Sequence, residues 1–274
     1  MKLITIDLED WYSTRVLSSF SNIDWDSSLP FVEQSTERLL VLFKKYNIQA
    51  CFFVLGYISH RHPDLIRRIA DHGHEIASHG YNHEHLAKLN PTSFAEDIEK
   101  SLNALAEIGF TNVRGYRAPS FSFTEKTLWA PDVLSKFGFQ FSSSVYPTNV
   151  HPDYGLTRFG FEPFRYDNGL LEIPMNSAQF GRRLIPCSGG AYLRFFPFPL
   201  FKYLIGRSAL LANHYIFYLH PWELSSDQPR ISGNTLQKIR HYYNIHKVEQ
   251  KLEKLLSDIS FDEFSPSVSK LIHS

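Results

Sequence analysis

An α/β fold on a parallel sheet is predicted by three features of the chain. Short apolar runs (KLITIDL, IQACFFVLG, HEIASHG) recur through the first half. Longer segments with helical spacing of their apolar residues separate them, and turn residues bracket those segments. Helices placed between consecutive strands must lie over a parallel sheet, which is then either doubly wound or closed as a barrel.

The elements follow in order. KLITIDL reads as the first strand, and SSFSNIDWDSSLPF after it as a loop inserted near that strand's end. STERLLVLFKKYN sets Leu39, Leu40, Leu42 and Phe43 on a helical period, with Ser35 or Thr36 as cap. IQACFFVLG is a strand ended by Gly56, and PDLIRRIADHG is a helix opened by Pro63 and closed by Gly73. HEIASHG is a short strand. PTSFAEDIEKSLNALAEIG and EKTLWAPDVLSKFG are helices, with NVRGYRAPS and FQFSSSVYP as the strand-and-loop segments after each. From about residue 145 the chain turns rich in Pro, Gly and Asn. GLLEIPM and HYIFYLHPWEL are two further strands, and TLQKIRHYYNIHKVEQKLEKLLSDI is a terminal helical stretch. Neither a flexible linker nor a solenoid repeat breaks this order. Residues 1–274 therefore read as a single domain with a helical extension at about 235–262.

With 28 basic and 28 acidic residues among 274, the chain has no global attraction for nucleic acid or an anionic surface. Cys51 lies in an apolar run far from Cys187, so buried free thiols are expected rather than a disulfide or a metal pair. No run approaches the ~20 apolar residues of a membrane span, and the amino terminus lacks a secretory pattern, so a cytoplasmic protein is expected.

Several segments could carry chemistry. ITIDLEDWY gathers Asp7, Glu9 and Asp10 at the end of a strand, where buried acids need a partner. Asp7 and Glu9 share a face if the strand persists, and Asp10 joins them only if the chain turns. One could ligate a metal and another act as general base, whereas a simple turn cap accounts for one acid but not three. In GHEIASHGYNHEH, His79 and His83 are four apart, within reach of one ion on a helical turn, although solvated histidines at a helix start would share that spacing. His74 reads as structural, and His85 points elsewhere. Arg117 in GYRAPSFSF could hold a carboxylate or be an ordinary surface arginine. His220 after an apolar strand could donate a proton, and Glu172 in LLEIP could orient it or solvate a turn.

In this order the motifs resemble the polysaccharide deacetylase family of carbohydrate esterases, the NodB homology group. TIDLED resembles its first, acidic motif, HGYNH its His-x-x-x-His, RAP its Arg-x-Pro and LHP its last motif. ACFFVLG, HPDL, GHEIASHGY, GYRAPSFS, LEIP and YLHPWEL are most similar to the branch found with bacterial exopolysaccharide loci. The resemblance spans about residues 3 to 250. It implies a distorted (β/α) barrel of fewer than eight strands, with its active site at the strands' C-terminal ends.

The activity implied is metal-dependent hydrolysis of an N-acetyl group on an amino-sugar glycan or its precursor, free or lipid-linked. The implied ion is zinc, with cobalt, nickel, manganese or iron as alternatives, held by His79, His83 and either Asp10 or Glu9, with Asp10 favoured. Asp7 is the implied base, positioned by Arg117. His220 is the implied acid, positioned by Glu172, and a backbone N–H near Ser120 the implied oxyanion donor. Here Leu8 separates Asp7 from the next acid, Ser120 replaces a frequent Tyr, and Ser142 a frequent Asp. Two other readings use the same scaffold: another C–N hydrolase, such as a deformylase or cyclic-amide hydrolase, with specificity in loops 13–30 and 145–165, or a non-catalytic glycan-binding module. YLRFFPFPLFKYLIGR, flanked by Arg194, Lys202 and Arg207, could make a peripheral contact at the inner face of a membrane, though core packing explains its aromatics more simply.

Overall fold

The computed structural model describes residues 1–14, 24–26, 28, 30–151, 154–230 and 235–274. Its main sheet has eight strands in the order β10-β1-β2-β3-β4-β5-β7-β6. These are β1 (Lys2–Leu8), β2 (Cys51–Val54), β3 (Glu75–Ser78), β4 (Gly115–Tyr116), β5 (Phe141–Ser142), β6 (Phe164–Arg165), β7 (Leu171–Glu172) and β10 (Tyr215–Leu219). All pairings are parallel except that of β6 with β7. The fold is thus the expected distorted (β/α) barrel. Fewer than eight strands holds for the parallel set of seven, and antiparallel β6 is an added edge. The hairpin of β8 (Ser177–Phe180) and β9 (Arg183–Pro186) forms a separate small sheet.

Alternation along β1 explains how the sheet is packed. Ile4, Ile6 and Leu8 face outward into a core shared with the helices Val32–Lys45 and Pro63–Asp71. Leu3 faces inward with Cys51, Phe53, Ala77, Phe141, Leu171 and Ile216. A period of two therefore sets Thr5, Asp7 and Glu9 on the inner side, continuing the row from Leu3. The parallel register puts Asp7 beside Phe53, Ser78 beside Tyr116 and Ser142 beside Glu172. The residues just past these strands consequently share one rim.

Below, the helix Phe264–His273 inserts Phe264 and Val268 into the inner core. Asp262 fastens it there, accepting from Lys2 N–H at 2.8 Å and donating back at 2.7 Å. The sequence reading ended the helical extension too early to include this plug. That extension is also divided, because Asn244 adopts φ 52° between the helices Thr235–Tyr242 and Val248–Asp258. The β8–β9 hairpin and the helices Gly190–Phe195 and Phe198–Ser208 lie where only loops and an aromatic run were read. Most of loop 13–30 lies outside the described residues. Both cysteines are buried and free.

Candidate active site

Arg117, just beyond β4, is fully buried and reaches under the end of β1. It donates through Nη1 to Asp7 Oδ1 at 2.7 Å and Thr5 Oγ1 at 2.8 Å. Nε and Nη2 bind Ser143 O and Oγ, and the guanidinium lies 4.1 Å above the Phe53 ring. A forked donor held on every side fixes one Asp7 oxygen and leaves Oδ2 facing the cleft.

Glu9, one strand period further on, meets the histidines. Its carboxylate joins ring nitrogens of His79 and His83 in a group whose donor atoms all lie within 4.8 Å of one another. Burial pushes the Glu9 carboxyl up, but His83 and His220 outweigh it and bring it down to about 2. Asp10 does not join this group. Its oxygens accept from Trp11 N–H and Phe31 N–H at 2.7 Å and from Val32 N–H at 2.9 Å. Those bonds tie the turn after β1 to the start of the next helix, and burial raises the Asp10 carboxyl to about 6. The Asp10 preference is therefore corrected in favour of Glu9: the strand alternation carries past Leu8, and the chain turns only afterwards.

His79 and His83 meet without a helix. Gly80 at φ 75° and His83 at φ 56° bend the chain, and Asp97 accepts from Tyr81 N–H at 3.0 Å to hold the bend. His79 Nδ1 donates to Arg117 O at 2.8 Å, which leaves Nε2 as the lone-pair nitrogen. That Nε2 is buried and makes no hydrogen bond. An orphaned imidazole nitrogen beside a second histidine and a carboxylate fits a divalent cation of the zinc–iron series.

His220 follows β10. It donates through Nε2 to Glu9 Oε1 at 2.9 Å and through Nδ1 to Glu223 Oε1 at 3.0 Å, with Asp7 Oδ2 4.0 Å from Nε2. Burial pulls its pKa down, but Glu9 and Glu223 outweigh this and hold the ring protonated, near 10. Arg194 Nε donates to Glu223 Oε2 at 2.8 Å, and its Nη1 to His241 O at 2.7 Å. Gly190 makes room for this arm, since a Cβ there would sit 2.3 Å from Glu223 Oε1.

The orienting role expected of Glu172 is thus filled by Glu223. Glu172 instead accepts from Ser144 and Val145 N–H at 2.7 and 2.8 Å, shaping the loop after β5. Sequence reasoning passed over Glu223, Ser143 and Gly190, and it read Arg194 as a membrane-facing flank, whereas Arg194 is buried on Glu223. The available signal was a Glu three residues after His220, placed as in a capping box.

Asp7, Glu9, His79, His83, His220 and Glu223 line one cleft of about 660 Å³, walled further by Phe121, Tyr154, Tyr192, Phe195, Tyr218 and Trp222. Ser120 and Phe121, at φ 56° and 50°, hold two consecutive left-handed conformations on its floor. Non-glycine residues in that region cost ~1–3 kcal/mol each and gather at functional sites. His74 accepts from Ala50 N–H at 3.1 Å and is structural, and His85 caps the turn Leu86–Lys88.

Residues 19–142 match the family model described as polysaccharide deacetylase, and residues 143–269 one described as a domain of unknown function (DUF3473). The chain is 30% identical over 122 residues to a peptidoglycan deacetylase of Helicobacter pylori, covering 44% of this chain and 41% of that one. It is 33% identical over 98 residues to a peptidoglycan-N-acetylglucosamine deacetylase of Bacillus cereus, covering 35% and 36%. It therefore spans less than half the length of either relative. A candidate polysaccharide deacetylase from Mycobacterium smegmatis superposes with TM-score 0.62 at 21% identity, over 99% of this chain and 89% of that one, and shows the shared fold.

Proposed function

From the match of residues 19–142 to the polysaccharide deacetylase family, we propose that this chain removes N-acetyl groups from an amino-sugar glycan or its biosynthetic precursor. One observation carries the reading: Asp7, fixed by Arg117, and His220, fixed by Glu223, flank the Glu9–His79–His83 cluster in one cleft. The names of the curated relatives support an acetylated amino sugar as substrate, and the motif set favours one from exopolysaccharide synthesis.

Glu9, His79 and His83 would hold a divalent cation, zinc by preference. When bound, it supplies Lewis-acid polarisation of the acetyl carbonyl and lowers the pKa of water. Asp7 Oδ2 takes the proton of the attacking water, because Oδ1 is committed to Arg117. His220, anchored through Nδ1 to Glu223, gives its Nε2 proton to the amide nitrogen as the C–N bond breaks. Acetate and a free amine leave. A backbone N–H near Ser120, which lines the cleft, would steady the carbonyl oxygen, those of Phe121 and Ser122 being bonded to Ala118 O and Pro119 O. A purely glycan-binding role is disfavoured, since base, acid and all three cation donors are retained.

The test is acetate release from N-acetylglucosamine oligomers and peptidoglycan fragments, with bound metal measured in parallel and Asp7→Asn and His79→Ala as controls. Acetate release by wild type that Asp7→Asn abolishes bears the proposal out. Stoichiometric metal with no acetate from any acetylated sugar overturns it.

A further inference from the structure

The helix Phe198–Ser208 and its continuation present two apolar faces, and only one is covered. Phe198, Phe201 and Leu204 are buried against the fold. Leu200 and Tyr203, 41% and 53% exposed, point outward three residues apart on one face of the helix, and Leu210, 72% exposed, lies in the turn that follows it. They are three of the seven exposed large apolar side chains among the described residues. A chain of zero net charge is locally basic here. Arg182 and Arg183 are exposed at the tip of the β8–β9 hairpin, which packs on this helix. Arg207 lies between hairpin and helix, donating to Gln179 O at 2.9 Å. Of the nearby acids, Asp258 is paired with Lys202 at 2.7 Å, and Glu162 accepts from the neutral Asn213 amide at 2.8 Å and keeps its charge.

An apolar patch flanked by three arginines, Arg182, Arg183 and Arg207, against the single uncompensated acid Glu162 matches an anionic lipid surface, where side chains enter the headgroup region and cations meet phosphate. A second copy of the chain would have to bring these same arginines against each other. We propose that this flank docks the protein on anionic bilayers. No helix among the described residues is long and apolar enough to cross a membrane, so the contact is peripheral. Docking there also bears on the cleft, because Phe195, which lines it, lies three residues before this helix and stacks on Tyr243 at 5.2 Å. The proposal is independent of what the cleft hydrolyses.

The test is co-sedimentation of the full chain with vesicles of phosphatidylglycerol and phosphatidylcholine, against phosphatidylcholine alone. The protein should pellet with the anionic vesicles only, and less as salt is raised. Tyr203→Glu with Leu210→Glu should lower partitioning ~10-fold or more, and Arg182→Glu with Arg183→Glu by about five-fold for each cation lost. Thermal melting of each variant checks that it is folded. Wild type that stays in the supernatant, or folded variants that pellet as wild type does, overturns the proposal. A dimer in sedimentation velocity that Tyr203→Glu dissolves, without vesicle binding, assigns the face to a second copy and overturns it too.

Discussion

Arg117 Nη1 donates to Asp7 Oδ1 across 2.7 Å inside the barrel, and neither group has meaningful contact with solvent. Two charges there are tolerable only together, because each is the other's counter-ion and Thr5 and Ser143 take the remaining donors.

Removing the arginine is therefore costly for the fold as well as the chemistry. Arg117→Met should destabilise the protein by ~3–5 kcal/mol in urea unfolding, since it leaves a buried carboxylate alone. Arg117→Lys keeps the charge but cannot reach Thr5, Asp7 and Ser143 together. It should remain folded and lose ~10-fold or more of kcat through misplacement of the base. A lysine variant with undiminished kcat would refute the positioning role.

Glu9 and Asp10 separate by substitution. Glu9→Gln should lower metal affinity ~10–100-fold or more in a chelator competition. Asp10→Ala should leave metal affinity little changed and cost ~2–3 kcal/mol of stability because three N–H groups lose a carboxylate acceptor. If Asp10→Ala strips the metal and Glu9→Gln keeps it, the geometry has been misread.

That pair also shows how far the sequence could be read. Alternation in KLITIDLE already set Glu9 on the face of Asp7, and this local signal was better than the family resemblance, under which Asp10 was favoured over Glu9. His83 was readable only from its spacing to His79. His79, Arg117 and His220 were readable because each directly follows an apolar strand, and parallel strands must bring those positions to one rim. Glu172 follows the same rule and lies near the same rim, but its carboxylate turns into the Ser144–Val145 backbone. Strand register fixes where a residue starts, not which donors its side chain finds. Arg194 and Gly190 were out of reach for a different reason. They act through a contact with Glu223 some 30 residues away in sequence, and no local pattern encodes it.

Gly190 offers a test of the His220 arm from outside the cluster of charges. A methyl group there would meet Glu223 Oε1 at 2.3 Å and push the carboxylate off His220 Nδ1. Gly190→Ala and Glu223→Gln should each lower kcat ~10–100-fold with bound metal retained, as expected when an acid loses its orientation. Loss of metal with unchanged kcat per loaded site would show that the arm serves the cation and not the acid.

His74 predicts a pH dependence of stability remote from the chemistry. Its ring is packed against Phe43 and Phe52, and Nδ1 accepts from Ala50 N–H at 3.1 Å. Protonation would put a donor against a donor in an apolar site, and burial, the larger cause, depresses the pKa from 6.5 to about 4. The unfolded chain therefore binds this proton more readily than the folded one, so stability rises with pH. The contribution is complete above about 6.5, is lost as pH falls toward about 4, and is constant below that. Linkage across that window gives up to ~3 kcal/mol. His74→Gln offers its amide oxygen to Ala50 and cannot titrate. Urea unfolding at about pH 7.5 and about pH 4.5 should show wild type losing ~2–3 kcal/mol more than the variant, with the other depressed histidines cancelling in the difference. Parallel losses in the two proteins would mean that His74 is not the group that senses the acid.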